Sequence, residues 1–234
     1  MKPALSTAAI VLATVLATAL LLHAAETPLT PVADPKPILA DLQRKMSSLT
    51  SVYLEFSQER QLKLFNEPLK SQGVMLIDRP DAIRWETTAP FQSILLGNHK
   101  SVAQFEFTDG SWKKLKLGFP QMLRRVMEQM TLMHQGKLDA LTSDFNISVA
   151  TGSVVVVTMV PKDENVRTML ASLEIQLSPD LSATREVIMH EPEGDLTRIR
   201  FQREKRGMKF PAGTFDQTRP VALADIKAAV DHEP

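Results

Sequence analysis

Hydrophobic and polar positions change period several times along this chain, and each change marks an element. The chain opens without alternation: Lys2 is followed by an unbroken apolar and small-residue run from Ala4 to Leu22, then by Ala24 and Ala25. That layout predicts a secretory signal peptide over residues 1–25, to be set aside from the fold. Because the run approaches the roughly 20 residues that span a bilayer, an uncleaved N-terminal anchor is the alternative. Either reading puts the rest of the chain outside the cytoplasm. Residues 26–37 carry Pro28, Pro31, Pro35 and Pro37 and read as an extended, unpacked arm. From Ile38 the period is helical, with Ile38, Leu39, Leu42, Met46 and Leu49 on one face of a short amphipathic helix.

At Val52 the period drops to two. Val52, Leu54 and Phe56 point one way and Tyr53, Glu55 and Ser57 the other, which predicts a half-buried strand. Similar runs follow at Leu69–Ile77, Ala82–Thr87, Gln92–Leu96, Val102–Thr108 and Trp112–Leu117, with turns at Arg79-Pro80-Asp81, Gly97-Asn98 and Asp109-Gly110. Further runs occupy Phe145–Val149, Val154–Val160, Leu173–Leu177, Glu186–His190 and Leu196–Gln202. About eleven short strands in succession predict a mainly β fold with helices (α+β) built on one large antiparallel sheet. So many strands cannot lie flat, so the sheet curls toward a barrel, and a helix must cover its concave face. Whatever interior the cover leaves unfilled is an apolar cavity. One long segment, Pro120 to Ala140, returns to helical spacing with Leu123, Val126, Met127, Met130 and Met133. It is either an ordinary packed helix or a lid whose flexible methionines suit ligands of variable shape. Val221–Val230 is an alanine-rich, weakly amphipathic helix in a C-terminal tail, residues 219–234.

Composition narrows the chemistry. The 27 basic and 27 acidic residues cancel, leaving no net field to recruit nucleic acid. The local basic cluster at Arg198, Arg200, Arg203, Lys205, Arg206 and Lys209 alternates with Ile199 and Phe201, and reads as the solvated face of a strand. The chain has no cysteine, which removes disulfides, thiolate metal sites, cysteine nucleophiles and a cysteine-linked lipid anchor. Outside the signal, His99, His134, His190 and His232 have no metal-ligand spacing. The serines lack a nucleophile-elbow pattern, and the glycines form no phosphate-binding loop. The paired carboxylates at Asp163-Glu164 and Glu191/Glu193 fall in turns, where solvated charge accounts for them. The expectation is a monomeric binding protein without catalytic residues, metal or cofactor.

Phe56-Ser57-Gln58, Ser71-Gln72-Gly73, Arg79-Pro80, Ile83-Arg84-Trp85-Glu86 and Pro90, in this order after an amphipathic helix and a signal, resemble the N-terminal half of the LolA family. Those proteins are periplasmic carriers that move lipoproteins between the two membranes of Gram-negative bacteria. Gly194-Asp195-Leu196-Thr197 through Phe201, with Phe210 and Phe215, resemble the family's closing strands, so the likeness spans residues 38–218. It implies an incomplete antiparallel β-barrel with a helical lid over a cavity for acyl chains. It further implies an inner-membrane donor complex and an outer-membrane acceptor. Arg79 matches the family arginine that bonds to the lid helices, beside Pro80, and Ile83 matches an apolar position at the cavity mouth. The lining expected on this reading is Phe56, Met75, Ile77, Trp85, Met127 and Met130. Asn98-His99-Lys100 replaces the family's usual aspartate-glycine-lysine, and the Met-rich segment is an addition. Both leave room for another acylated or polyene-like lipid as cargo. The related RseB type, an envelope sensor that recognises a lipidated or partner protein without transport, is the alternative; the missing cysteine disfavours LolB.

Overall fold

The computed structural model describes residues 28–98, 100–117, 131–132, 137 and 139–232. Twelve strands form a single antiparallel sheet: β1 (Thr30–Pro31), β2 (Ser51–Gln61), β3 (Leu69–Asp78), β4 (Ala82–Ala89), β5 (Ser93–Gly97), β6 (Val102–Thr108), β7 (Ser111–Lys114), β8 (Phe145–Thr151), β9 (Val155–Pro161), β10 (Ser172–Leu177), β11 (Thr184–His190) and β12 (Leu196–Arg206). The described helices are α1 (Lys36–Ser47), α2 (Glu164–Arg167) and α3 (Leu223–His232), with a 3-10 turn at Asp139–Ser143.

The spatial order is β1-β8-β9-β10-β11-β12-β2-β3-β4-β5-β6-β7, and the sheet does not close. After β1 at one edge, the chain enters mid-sheet at β2 and runs outward by hairpins to β7. It resumes at the opposite side with β8 and returns by hairpins until β12 meets β2. That central seam is long, from Leu196 opposite Gln61 to Arg206 opposite Val52, with a register shift between Gln202 and Lys205. Each strand anticipated from alternation is present within a few residues of its expected bounds. The arm is the exception to the expected layout. Rather than lying unpacked, Thr30 and Pro31 pair with Thr151 and Ala150 of β8, and the Val32 amide donates to the Val149 carbonyl at 2.8 Å. Proline tolerates this because an edge strand spends few ladder hydrogen bonds.

The concave face holds the main core. Val52, Leu54 and Phe56 of β2, Met75 and Ile77 of β3 and Ile83 of β4 meet Val149, Val157, Ile175, Val187 and Ile199 from the returning strands. Alpha helix α1 lays Leu39, Leu42 and Met46 on this face, with Arg44 and Lys45 in its last turn, where cations complement the helix dipole. Leu132 also packs there.

The convex face of β2–β4 is covered too, which alternation alone did not indicate. Tyr53, Val74 and Leu76 are 1 % exposed or less, buried against Met208, Ile226 and Val230 of the C-terminal segment. The α3 helix thus completes a second core instead of trailing as a tail. Within it lies a charged pair: Arg84 of β4 is fully buried, donates Nε to Glu86 at 2.9 Å, and reaches the carbonyls of Thr214 and Val221 at 2.9 and 2.8 Å. The two carbonyl contacts tie the C-terminal segment to the sheet, while the Glu86 carboxylate on the same strand balances the charge. Farther along the chain, the expected solvated face of β12 is ion-paired, with Arg198 and Arg200 both engaging Glu186 of β11.

Candidate ligand-binding site

Strand order fixes which loops share an end of the sheet. The β3–β4, β8–β9 and β10–β11 turns lie at one end; the β2–β3, β4–β5, β6–β7, β9–β10 and β11–β12 connections lie at the other. Helix α1 is fastened at the first end. Lys45 Nζ donates to the Asp180 carbonyl at 2.6 Å, and Arg79 donates Nη1 to Ser47 O at 2.7 Å and Nη2 to Met46 O at 2.8 Å. These last two carbonyls are among those a helix C-terminus leaves without an intrahelical partner, so a guanidinium satisfies both hydrogen bonding and dipole there. Burial lowers the Arg79 pKa, which still leaves the group charged in this range. The Arg79–Pro80 peptide is cis.

Between α1 and the concave face the side chains leave a cavity of about 450 Å³. Leu42 and Met46 of α1 close it at the fastened end; Leu54, Met75, Trp85 and Leu95 form one wall. The opposite wall comes from the returning half: Phe145, Met159, Leu173, Ile175, Leu177, Val187, Met189, Ile199 and Phe201. Met169 and Leu170, after α2, stand at the far end, where Met169 is 55 % exposed. Among the described residues the polar lining is sparse, confined to Gln58, Thr184 and Glu191, and Glu191 is already paired with Arg60 at 3.1 Å. Such a space can hold a long apolar group by burial, and its described residues present no array of donors or acceptors for a polar one.

The residues expected at the cavity lining and mouth separate into three sets. Met75 and Trp85 line the cavity. Phe56, Ile77 and Ile83 point to the same face but belong to its packed part and do not line the space. Ile77 and Ile83 are cross-strand partners beside the turn that holds α1, so the mouth position expected for Ile83 is instead a core position, 0 % exposed. Phe56 stands behind Trp85, ring centroids 4.3 Å apart, and supports it. The remaining two, Met127 and Met130, lie outside the described residues, as do the signal segment and His99. Arg79 and Pro80 sit in the β3–β4 turn at the C-terminus of α1.

Sequence reasoning missed the whole second wall. Its signal was present, in the alternation of Leu173-Ile175-Leu177 and Val187-Met189, but nothing in one strand says that the face opposite stays unfilled. Among the described residues, the methionines at the site are Met46, Met75, Met159, Met169 and Met189. They are scattered over helix, strand and loop, so no helical stripe announces them.

A family model described as outer membrane lipoprotein carrier protein LolA matches residues 47–218. The chain belongs to the LolA family. Among solved structures, a LolA superfamily protein from Nitrosomonas europaea is similar at 8 % identity and a TM-score of 0.43, over 80 % of this chain and 99 % of that one. A DUF1329 family protein from Desulfovibrio piger gives 8 % identity and a TM-score of 0.44, over 80 % and 99 %. MucB in the Pseudomonas aeruginosa MucA/MucB complex gives 13 % and 0.36, over 79 % of this chain and 61 % of that one. No curated protein matches the sequence. Among the described residues of this LolA-family chain, no helix is long and apolar enough to cross a membrane.

Proposed function

We propose that this protein is an exported, periplasmic carrier that holds the acyl chains of lipoproteins, or of another lipidic cargo, in the cavity and passes them from an inner-membrane donor to an outer-membrane acceptor. The observation that carries this reading is the cavity itself: about 450 Å³ walled by both halves of the sheet, with apolar side chains nearly throughout its described lining. Transfer of a hydrocarbon chain from water into such a space gains roughly 0.8 kcal/mol per buried methylene. Holding therefore needs no covalent chemistry, and release needs only an acceptor that binds the chain more tightly. The lining suits cargo of variable shape, because methionine thioethers adapt where branched side chains do not. Helix α1 is the cover that must shift for a chain to pass, and Arg79, together with Lys45, retains it.

Mass spectrometry of protein purified gently from its own envelope is expected to show bound acylated molecules. Stripped protein is expected to take up a fluorescent fatty acid and an acylated peptide. If neither co-purified lipid nor uptake is found, the carrier reading fails. A pull-down from envelope extract separates carrier from sensor, since a carrier returns many acylated cargos and a sensor returns one partner.

A further inference from the structure

The end of the sheet away from the α1 fastening carries an unusual rim. Of the large apolar side chains that are exposed among the described residues, all but Leu29 stand there: Leu64 at 87 %, Phe65 at 48 %, Leu69 at 53 %, Phe91 at 83 %, Phe107 at 41 % and Met169 at 55 %. Strand order sets their loops side by side. The β11–β12 turn is joined to the β2–β3 loop, where the Lys63 amide donates to Asp195 Oδ1 at 2.9 Å. The Thr88 hydroxyl reaches the Gln72 carbonyl at 3.1 Å, and the Phe107 amide reaches Gln92 O at 3.1 Å, linking the next three strands. The β2–β3 loop is held to its own strand by Gln61, whose Nε2 donates to Phe65 O at 3.2 Å. These tips are thus built into the sheet end.

We infer that this rim is a bilayer-contacting surface, which seats the mouth of the cavity on the interface of a zwitterionic membrane. Three observations select this occupant. The two most exposed residues, Leu64 and Phe91, project from separate loops with most of their apolar surface unpacked, as side chains that enter an apolar phase do. The β4–β5 tip has no charge from Thr87 to Leu96, and the β2–β3 loop carries both signs in Lys63, Glu67 and Lys70, so the rim has no single-sign field that calls for an anionic surface. The rim is also continuous with the cavity: Met169 belongs to both, and Glu191, at the cavity's far end, leads into the turn that Lys63 grips. The choice of a bilayer over other apolar partners rests on the acyl-chain reading, because the cargo's donor and acceptor both stand at a membrane surface.

The test is flotation of the full mature chain with phosphatidylcholine vesicles, alongside Leu64→Asp, Phe91→Asp and the double variant. The wild type is expected to float with the vesicles, and to do so equally in high salt. Each substitution is expected to lower the bound fraction by about tenfold, the effect of keeping one large apolar side chain out of an apolar phase. Uptake of a fluorescent fatty acid without vesicles, and the melting temperature, are expected to stay at wild-type values in all three variants. Wild-type protein that fails to float, or variants that float as well as wild type, would overturn the proposal. So would binding that needs anionic lipid and disappears in salt, or a rim that instead drives self-association in sedimentation velocity. Failure of fatty-acid uptake in the wild type refutes the carrier reading instead, so the two failures are distinct.

Discussion

At the scale of single residues, two polar side chains decide how α1 is kept on the sheet. Arg79 offers two charge-assisted hydrogen bonds to the Met46 and Ser47 carbonyls. Arg79→Leu removes both and exposes the last turn of the helix to water; the expected loss is about 1–3 kcal/mol of global stability. A larger effect is expected on exchange, with bound fluorescent fatty acid leaving faster in stopped-flow displacement while the far-ultraviolet circular dichroism is unchanged. An unaltered off-rate would leave Arg79 as a turn residue only. On the other side, Lys45 binds the carbonyl of Asp180, whose own carboxylate accepts from the Ser178 and Ser182 hydroxyls at 2.5 and 2.8 Å. The Ser178 bond first, then Ser182, hold the Asp180 pKa down to about 2 from its ordinary value of 3.8. A depressed folded-state value means that the turn's contribution is complete above 3.8 and is lost as pH falls through about 2. Ser178→Ala is expected to move the Asp180 titration upward toward 3.8, read by carboxyl carbon NMR.

At the scale of elements, strand β3 shows what the Ser71-Gln72-Gly73 motif is for. A Cβ on Gly73 would lie 1.9 Å from the Glu86 carbonyl oxygen and 2.8 Å from the Phe56 ring, next to a register shift between Gln72 and Gly73. Only a bare backbone lets Phe56 lie down over β3 and stack on Trp85. Gly73→Ala is therefore expected to cost about 1–3 kcal/mol in urea unfolding by overpacking, and to quench or shift Trp85 fluorescence as the cavity wall moves. Strand β4 makes the matching demand on its other face. Removing one partner of the Arg84–Glu86 pair, as in Glu86→Leu, leaves a buried guanidinium uncompensated and is expected to cost about 3–5 kcal/mol. The double variant Arg84→Met/Glu86→Leu is expected to regain part of that loss in the same unfolding measurement. Elements were legible in the sequence wherever one face was wet: β6 and β10 alternate cleanly. They blurred where both faces are covered, as in β4, whose Ile-Arg-Trp-Glu reads as ordinary alternation although Arg84 and Glu86 are buried. The pairing of Thr30–Pro31 with β8 was illegible, because it depends on backbone groups that side-chain pattern does not report.

At the scale of the molecule, the sequence revealed a curled sheet but not where its interior would stay unfilled. The motif pulled attention to Phe56, Ile77 and Ile83, which have the right parity; yet parity names a face, and packing decides whether that face is core or cavity. The distinction arises only when β8–β12 come round to meet β2, and α1 covers one end of the trough rather than all of it. A cavity kept in this way has an energetic signature that can be tested. An unfilled apolar space forfeits dispersion contacts along its walls, so a side chain that grows into it without strain should stabilise the fold while excluding cargo. Val187 is suited to the experiment: it lines the cavity at mid-strand, 8 % exposed, with Ile175 and Ile199 as its cross-strand neighbours on the same face. Val187→Phe is expected to raise the melting temperature of the cargo-free protein, or leave it unchanged, and to reduce fatty-acid uptake by at least about tenfold, since one phenyl ring displaces several methylenes of chain. The opposite pattern, a lower melting temperature with uptake retained, would mean that the walls already touch and that acyl chains are held elsewhere.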